Sequence, residues 1–168
     1  ALRFVGISAL FMLAFYGVFY TAPEDSPTLH AFIGRYLKAY ASAARVVLGV
    51  FGFDARTQGA TLFLGNRAVE VARGCDAMEP IAFYIAAVIA VQVPWRAKLL
   101  GVLAGVPILV FVNLLRIIAL AIVSVRFPAQ FETAHVTVGQ TVFILCTLAL
   151  WFAWVVRASR AKKAPRAA

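Results

Sequence analysis

The sequence predicts an all-α membrane protein in which four transmembrane helices carry a small extracytoplasmic helix and a β-hairpin. Two observations lead there. Hydrophobic residues fill 63% of the 168 positions and charged residues only 14%, more apolar surface than a water-soluble core of this size can hide. The apolar residues also gather into runs over 4–20, 80–95, 99–118 and 138–156, each near the roughly 20 residues that a helical crossing needs. The whole chain reads as one integral membrane domain.

The run 4–20 contains no charge and is followed by Thr21-Ala22-Pro23-Glu24, a poor small-residue cleavage site, so it is expected to be a retained span rather than a removable signal. Segment 21–79 is the only sizeable piece outside the membrane. Within it, positions 29–53 place Phe32, Ile33, Tyr36, Leu37, Tyr40, Val46, Val47 and Val50 at helical spacing, with Arg35, Lys38 and Arg45 between them. That is the pattern of a helix lying in or on the interface. Strand-like runs at 60–64 and 68–72 flank Gly65-Asn66-Arg67, a hairpin signal. The hairpin then delivers Cys75 to the mouth of the second span.

The second span is expected to extend over 80–95 and to meet the third in a tight turn, Pro94-Trp95-Arg96-Ala97-Lys98. The third apolar run continues from 99 to about 125, too long for one crossing. At 1.5 Å per residue, Arg116 lies roughly 26 Å from Leu99, near the far boundary of the hydrocarbon. Pro107 is a site for a kink, which membrane helices tolerate where neighbours satisfy the freed carbonyl. Gly101, Ala104 and Gly105, with Ala86, Ala87 and Ala90, are small residues that permit close helix approach.

Charge assigns the sides. With the N-terminus, the 94–98 turn and the tail 157–168 in the cytoplasm, the inside holds eight bases (Arg3, Arg96, Lys98, Arg157, Arg160, Lys162, Lys163, Arg166) and no acid. The outside holds the other eight bases and all seven acids. The positive-inside rule therefore places the tail inside and segment 21–79 outside. The net charge of +9 sits largely in these anchors, which points to the lipid bilayer as the partner and away from nucleic acid, since the bases hug a helix end without interleaved aromatics. Two isolated histidines with no carboxylate at ligand spacing give no metal site, and no cofactor is implied.

This topology brings three reactive side chains to one side. The sequence has two cysteines. Cys146 lies eight residues into the last run, about 12 Å deep, and reads as a small buried hydrophobe. Cys75, in Ala72-Arg73-Gly74-Cys75-Asp76-Ala77-Met78-Glu79-Pro80, is outside the spans and has no disulfide partner within reach, which favours a catalytic or lipidated thiol. Gly74, Asp76 and Glu79 make its surroundings polar, and a helix starting at Pro80, together with Arg73 or Arg116, is expected to stabilise the thiolate. Arg116 stands at the end of an apolar run, where a charge marks a function, a snorkelling side chain, or a salt bridge to Asp76 or Glu79. Asn113 lies one turn earlier on the same face, so the two donors are expected to converge on an oxyanion. His135 precedes the last span by three residues and offers a proton-transfer group. A thiol, a base and a fixed cation at one boundary suggest acyl transfer.

The combination of Val69-Glu70-Val71-Ala72-Arg73-Gly74-Cys75, then Asn113-Leu114-Leu115-Arg116-Ile117, then His135 with Gly139, resembles the exosortase and archaeosortase family, compact members such as exosortase H in particular. The resemblance runs over about 48–152. It implies a membrane cysteine peptidase and transpeptidase with Cys75 as nucleophile, His135 as proton-transfer group and Arg116 as transition-state stabiliser. It further implies a multi-pass protein of the bacterial inner membrane with an extracytoplasmic site. Implied substrates are membrane-anchored proteins whose C-terminal sorting signal has a short motif, a membrane helix and a basic cluster, with a lipid or amine as acceptor. One departure stands out: the family commonly follows the nucleophile with a small polar residue and then glycine, where this chain has Asp76-Ala77. The rival classes are a membrane cysteine acyltransferase acting on lipid or lipoprotein, and a non-enzymatic helical assembly factor.

Overall fold

The computed structural model describes residues 2–21 and 26–163. Residues 22–25, and 164–168 with Arg166 of the basic tail, lie outside the described residues. Helix α1 (Leu2–Tyr16) ends in a π-helical turn, Gly17–Thr21. Helix α2 (Pro27–Val50) follows, then strands β1 (Ala55–Gln58), β2 (Thr61–Leu64) and β3 (Arg67–Glu70). Helices α3 (Met78–Ala90) and α4 (Trp95–Arg126) come next. A short 3-10 turn at Pro128–Gln130 and a second π-helical stretch, Thr133–Gly139, lead into α5 (Gln140–Lys163).

Among the described residues, three helical stretches are long and apolar enough to cross a membrane: Leu2–Tyr20, Trp95–Arg126 and Thr133–Arg160. The expected second span is shorter than anticipated. Helix α3 has 13 residues, about 20 Å of rise against a hydrocarbon core of about 30 Å. It stops at Ala90, with Val91 extended at φ −71°, ψ 139°, and Pro94 keeps it from resuming, since a proline there has no N–H for the residue 90 carbonyl and clashes with it. Trp95 accordingly opens α4 rather than closing α3. The third run forms one helix of 32 residues through Pro107.

Helix α2 has its boundaries written in the sequence. Ser26 at the N-cap accepts from the Leu29 N–H at 3.5 Å, and Pro27 occupies the first turn, where no N–H is needed. Gly52 at φ +82° ends it, a left-handed position that a side chain disfavours, so the helix closes slightly before residue 53. The hairpin appears where expected but gains a strand. β1 pairs with β2 and β2 with β3, both antiparallel, in the order β1-β2-β3. The turn Gly59-Ala60 repeats the chemistry of Gly65-Asn66, with a positive-φ glycine in the first position.

Two cores result. Tyr40, Ala41, Ala44 and Leu48 of α2, Leu62 and Leu64 of β2, and Ile117, Ile118 and Ala121 of α4 form the first, which clamps the sheet between α2 and the C-terminal half of α4. Full burial of Leu48 and Leu62 contributes roughly 1.5–3 kcal/mol each. The second joins Ile81, Tyr84 and Val88 of α3 to Leu109 of α4 and Phe143 of α5. Helix α3 is thus the central post, packed on α1, α4 and α5. The small residues act as notches for aromatic rings: Gly105 receives the Tyr84 phenol and Gly101 the Trp154 indole. Tyr84 Oη donates to the Gly101 carbonyl at 2.9 Å and Trp154 Nε1 to the Ala97 carbonyl at 3.2 Å. These contacts gather the 94–98 turn and the C-terminal part of α5 at one end of the bundle. Tyr20, the sheet, Cys75, Arg116 and His135 gather at the other.

Candidate active site

The loop between β3 and α3 shapes the surroundings of Cys75. The Val71 N–H donates to the Ala60 carbonyl at 3.0 Å and anchors the end of β3. Gly74 then adopts φ +87° and the Cys75 N–H returns to the Ala72 carbonyl at 3.1 Å. Asp76 Oδ1 accepts from the Met78 N–H at 3.1 Å. The helix therefore starts at Met78, before Pro80, and its first free N–H is taken by Asp76 rather than offered to the thiol. Ala77 sits at φ +64°, the only described non-glycine residue with a left-handed backbone. This is the position where the resembled family commonly has glycine, so Asp76-Ala77 keeps the turn at the expense of strain.

Two residues from elsewhere hold this loop by its carbonyls. Asn113, fully buried on α4, donates through Nδ2 to the Cys75 carbonyl at 2.9 Å. That bond ties one of the amide's two N–H groups to the backbone of the cysteine, a contact that helical spacing with Arg116 did not foretell. Tyr36 of α2 donates to the Asp76 carbonyl at 2.8 Å, and its oxygen lies 3.3 Å from the Tyr40 hydroxyl. Sequence reasoning placed both tyrosines in an amphipathic stripe and missed this role. The polar tips on an otherwise apolar face were the available signal.

His135 faces the thiol. Its Nε2 lies 2.8 Å from Cys75 Sγ, and its ring stacks on Phe131 with centroids 5.8 Å apart and an interplanar angle of 20°. It was expected in a connection before the last span. Instead it sits in the π-helical stretch Thr133–Gly139, continuous with α5. Arg116 Nη2 donates to the His135 carbonyl and to Gln140 Oε1, each at 3.4 Å. Gln140 is a second residue the sequence did not single out. Gly139 lets the guanidinium lie against the π turn, for a Cβ there would meet the Ala134 carbonyl at 2.8 Å and Arg116 Nε at 3.0 Å.

The remaining expected neighbours divide. Arg73 is exposed and has no hydrogen bond or ion pair among the described residues, so it does not support the thiol. Glu79 accepts from the Tyr20 hydroxyl. Among the described residues Arg116 has no ion pair with Asp76 or Glu79. Asp76 is 1% exposed with Oδ2 unpartnered, and burial pushes its carboxyl above the usual range. The thiol is also pushed up: burial raises it most, the Arg116 charge lowers it, the Asp76 charge raises it again, and a hydrogen bond from Arg116 lowers it. Desolvation thus opposes the stabilisation of a thiolate that Arg116 supplies, and the balance pushes the thiol upward. Both cysteines are free.

A cavity of about 170 Å³ opens beside the thiol and imidazole, walled by Ala68, Val69, Glu70 and Val71 along β3 and by Ile117, Leu120 and Phe131 opposite. Among the described residues no group of three His, Cys, Asp or Glu side chains is arranged to hold a metal. The site's resources are a thiol, an imidazole, a guanidinium and an opening beside them. In comparison with known proteins, residues 1–152 match the sequence model of the family described as transmembrane exosortase (Exosortase_EpsH). No curated protein and no solved structure matches the chain. The sequence match, spanning nearly the whole chain, establishes that this multi-pass membrane protein belongs to the transmembrane exosortase family.

Proposed function

We propose that the protein is a membrane cysteine transpeptidase that cleaves the C-terminal sorting signal of exported, membrane-tailed proteins through a thioester on Cys75. The observation that carries this reading is the 2.8 Å approach of Cys75 Sγ to His135 Nε2, with Arg116 bound to the His135 carbonyl. Family membership supports the reaction class.

Burial pushes the thiol up, so proton removal and attack are best coupled. His135 Nε2 takes the sulfhydryl proton as Sγ attacks the scissile carbonyl carbon, which relieves the thiolate's desolvation only when the S–C bond forms. The carbonyl electrons move to oxygen, and Arg116 holds that oxyanion in a water-poor site, where such a contact is worth about 10²–10³ in rate. Collapse expels the amine of the downstream segment, which takes the proton from His135 and leaves a thioester. An amine acceptor, or water, then attacks the thioester carbonyl, gives its proton to His135 and releases the Cys75 thiol. Asn113 and Tyr36 keep the nucleophile's backbone fixed throughout.

The site faces the extracytoplasmic side of a bacterial inner membrane in this reading, supported by the basic bias of the opposite end. Helix α3, extended by residues 91–94, completes a fourth crossing within the shelter of α1, α4 and α5. The deciding experiment is co-expression with a membrane-tailed substrate. Cys75→Ala is expected to abolish cleavage, by at least about 10³-fold, while Cys146→Ala cleaves normally. Processing by Cys75→Ala at the wild-type rate refutes the nucleophile, and a fatty acyl rather than peptidyl adduct on Cys75 moves the assignment to a lipid acyltransferase.

A further inference from the structure

Strand β3 is the outer strand of the sheet, and its free edge runs beside the thiol–imidazole pair. The register Leu64↔Arg67 and Leu62↔Val69, continued by the Val71 N–H bond to the Ala60 carbonyl, puts positions 67, 69 and 71 in the places that face β2. By alternation, the N–H and C=O groups of Ala68 and Glu70 point away from the sheet. Among the described residues none of these groups has a hydrogen-bond partner. Proteins normally cover or blunt such an edge. Here it forms one wall of the 170 Å³ cavity that Cys75 and His135 also line.

We propose that the substrate docks as an added strand on this edge, the extended peptide on the acyl side of the scissile bond pairing with the backbone of Ala68 and Glu70. A small apolar side chain of that peptide fills the space bounded by Val69, Val71, Ile117 and Phe131. The proposal rests on the reading of Cys75 as nucleophile and adds how the peptide reaches it. Main-chain pairing supplies affinity for any extended segment, and one shallow apolar recess supplies selectivity, the division of labour seen wherever a strand is added to a sheet. Both are needed at a membrane surface, where the scissile segment must be pulled out of helix. Its carbonyl carbon then passes Sγ with its oxygen towards Arg116.

The test uses the full chain in detergent and three electrophiles: acetyl-Ala-Ala-Val chloromethyl ketone, the same peptide N-methylated at both alanines, and iodoacetamide, with adducts located by mass spectrometry. The unmodified peptide reagent is expected to label Cys75 about tenfold faster than its N-methylated counterpart, which cannot donate to the edge carbonyls. Glu70→Pro removes an outward N–H that would donate to the peptide and leaves the β2 ladder intact, so it is expected to slow labelling by the unmodified peptide several-fold with iodoacetamide labelling unchanged. Equal rates for the two peptides on the wild-type protein overturn the edge. So does labelling of Glu70→Pro by the unmodified peptide at the wild-type rate. If the proline variant also loses iodoacetamide labelling, the wild-type comparison of the two peptides decides alone. Failure of all three reagents to modify Cys75 overturns the nucleophile itself, a result distinct from failure of the edge.

Discussion

At the end of the bundle that holds the 94–98 turn, the key polar atoms are matched: Tyr84 Oη reaches Gly101, Trp154 Nε1 reaches Ala97, and Lys98 Nζ reaches the Ile89 carbonyl. At the other end, Asp76 Oδ2, Asn113 Oδ1 and Arg116 Nε are buried without partners around Cys75. Among the described residues only Ser8 Oγ and Trp151 Nε1 share that condition, both on membrane helices. An unmatched buried polar atom costs roughly 1–3 kcal/mol. Such a cluster persists where the surrounding packing over-determines it, which cores one and two provide, and it falls at the end where the proposed chemistry takes place.

Breaking each end separates the two roles. Arg116→Lys is expected to give the largest effect, about 10²–10³ lost from kcat with little change in folding, because an ammonium cannot serve the His135 carbonyl, Gln140 and an oxyanion from one planar fork. Cleavage assays on membranes read it, and near-normal turnover removes Arg116 from the transition state. Gly139→Ala comes next, with a loss of about tenfold or more in kcat, as the new methyl displaces either the Ala134 carbonyl or the guanidinium. Its counterpart at the quiet end, Gly101→Ala, is expected to lower thermal stability by displacing Trp154 while the surviving folded fraction turns over normally. Equal kcat losses in the two glycine variants would erase the contrast between the ends.

The pH response follows from the raised thiol. Iodoacetamide labelling of Cys75 is expected to be slow at neutral pH and to climb with a midpoint above the ordinary thiol value of 9.0, since burial holds the sulfur protonated. Asp76→Asn removes a charge that raises the thiol, so its midpoint should fall. A wild-type midpoint below 9.0 would instead point to a preformed thiolate–imidazolium pair. The same linkage has a stability sign: with the folded value above the unfolded one, the thiol's contribution is full below the unfolded value and disappears as pH rises through the folded one. Smallest is Ala77→Gly, which should relieve roughly 1 kcal/mol of left-handed strain and raise Tm by a few degrees without altering turnover.

Much of this was legible in the sequence. The residues 29–53 announced α2 through spacing, while the Ser26-Pro27 start was an available signal left unread. Gly65-Asn66 announced the β2–β3 turn, and the run of apolar residues around Arg116 announced α4. The β1 strand escaped because Ala55-Arg56-Thr57-Gln58 lacks an apolar alternation, although Gly59-Ala60 carried the same turn chemistry as the hairpin that was seen. Charge and order brought Cys75, Arg116 and His135 to one end, yet the partnerships there were not readable. Asn113 was paired with Arg116 by helical spacing, whereas tertiary contact gives it to the Cys75 carbonyl. Tyr36 and Gln140 look like stripe and span residues until the loop from β3 to α3 is folded over them. The upward push on the thiol comes from burial, a quantity that no local motif encodes.

The wide turn at Thr133–Gly139 has one more consequence. In an α-helix every residue advances about 100° around the axis, so the heading of an imidazole near the start dictates which stripe of the following span meets its neighbours. Hydrogen bonds that reach five residues back loosen that coupling just after His135. The stripe that the last span turns towards Phe143's partners is thus offset from the one an unbroken α-helix would present, while the imidazole is aimed at sulfur.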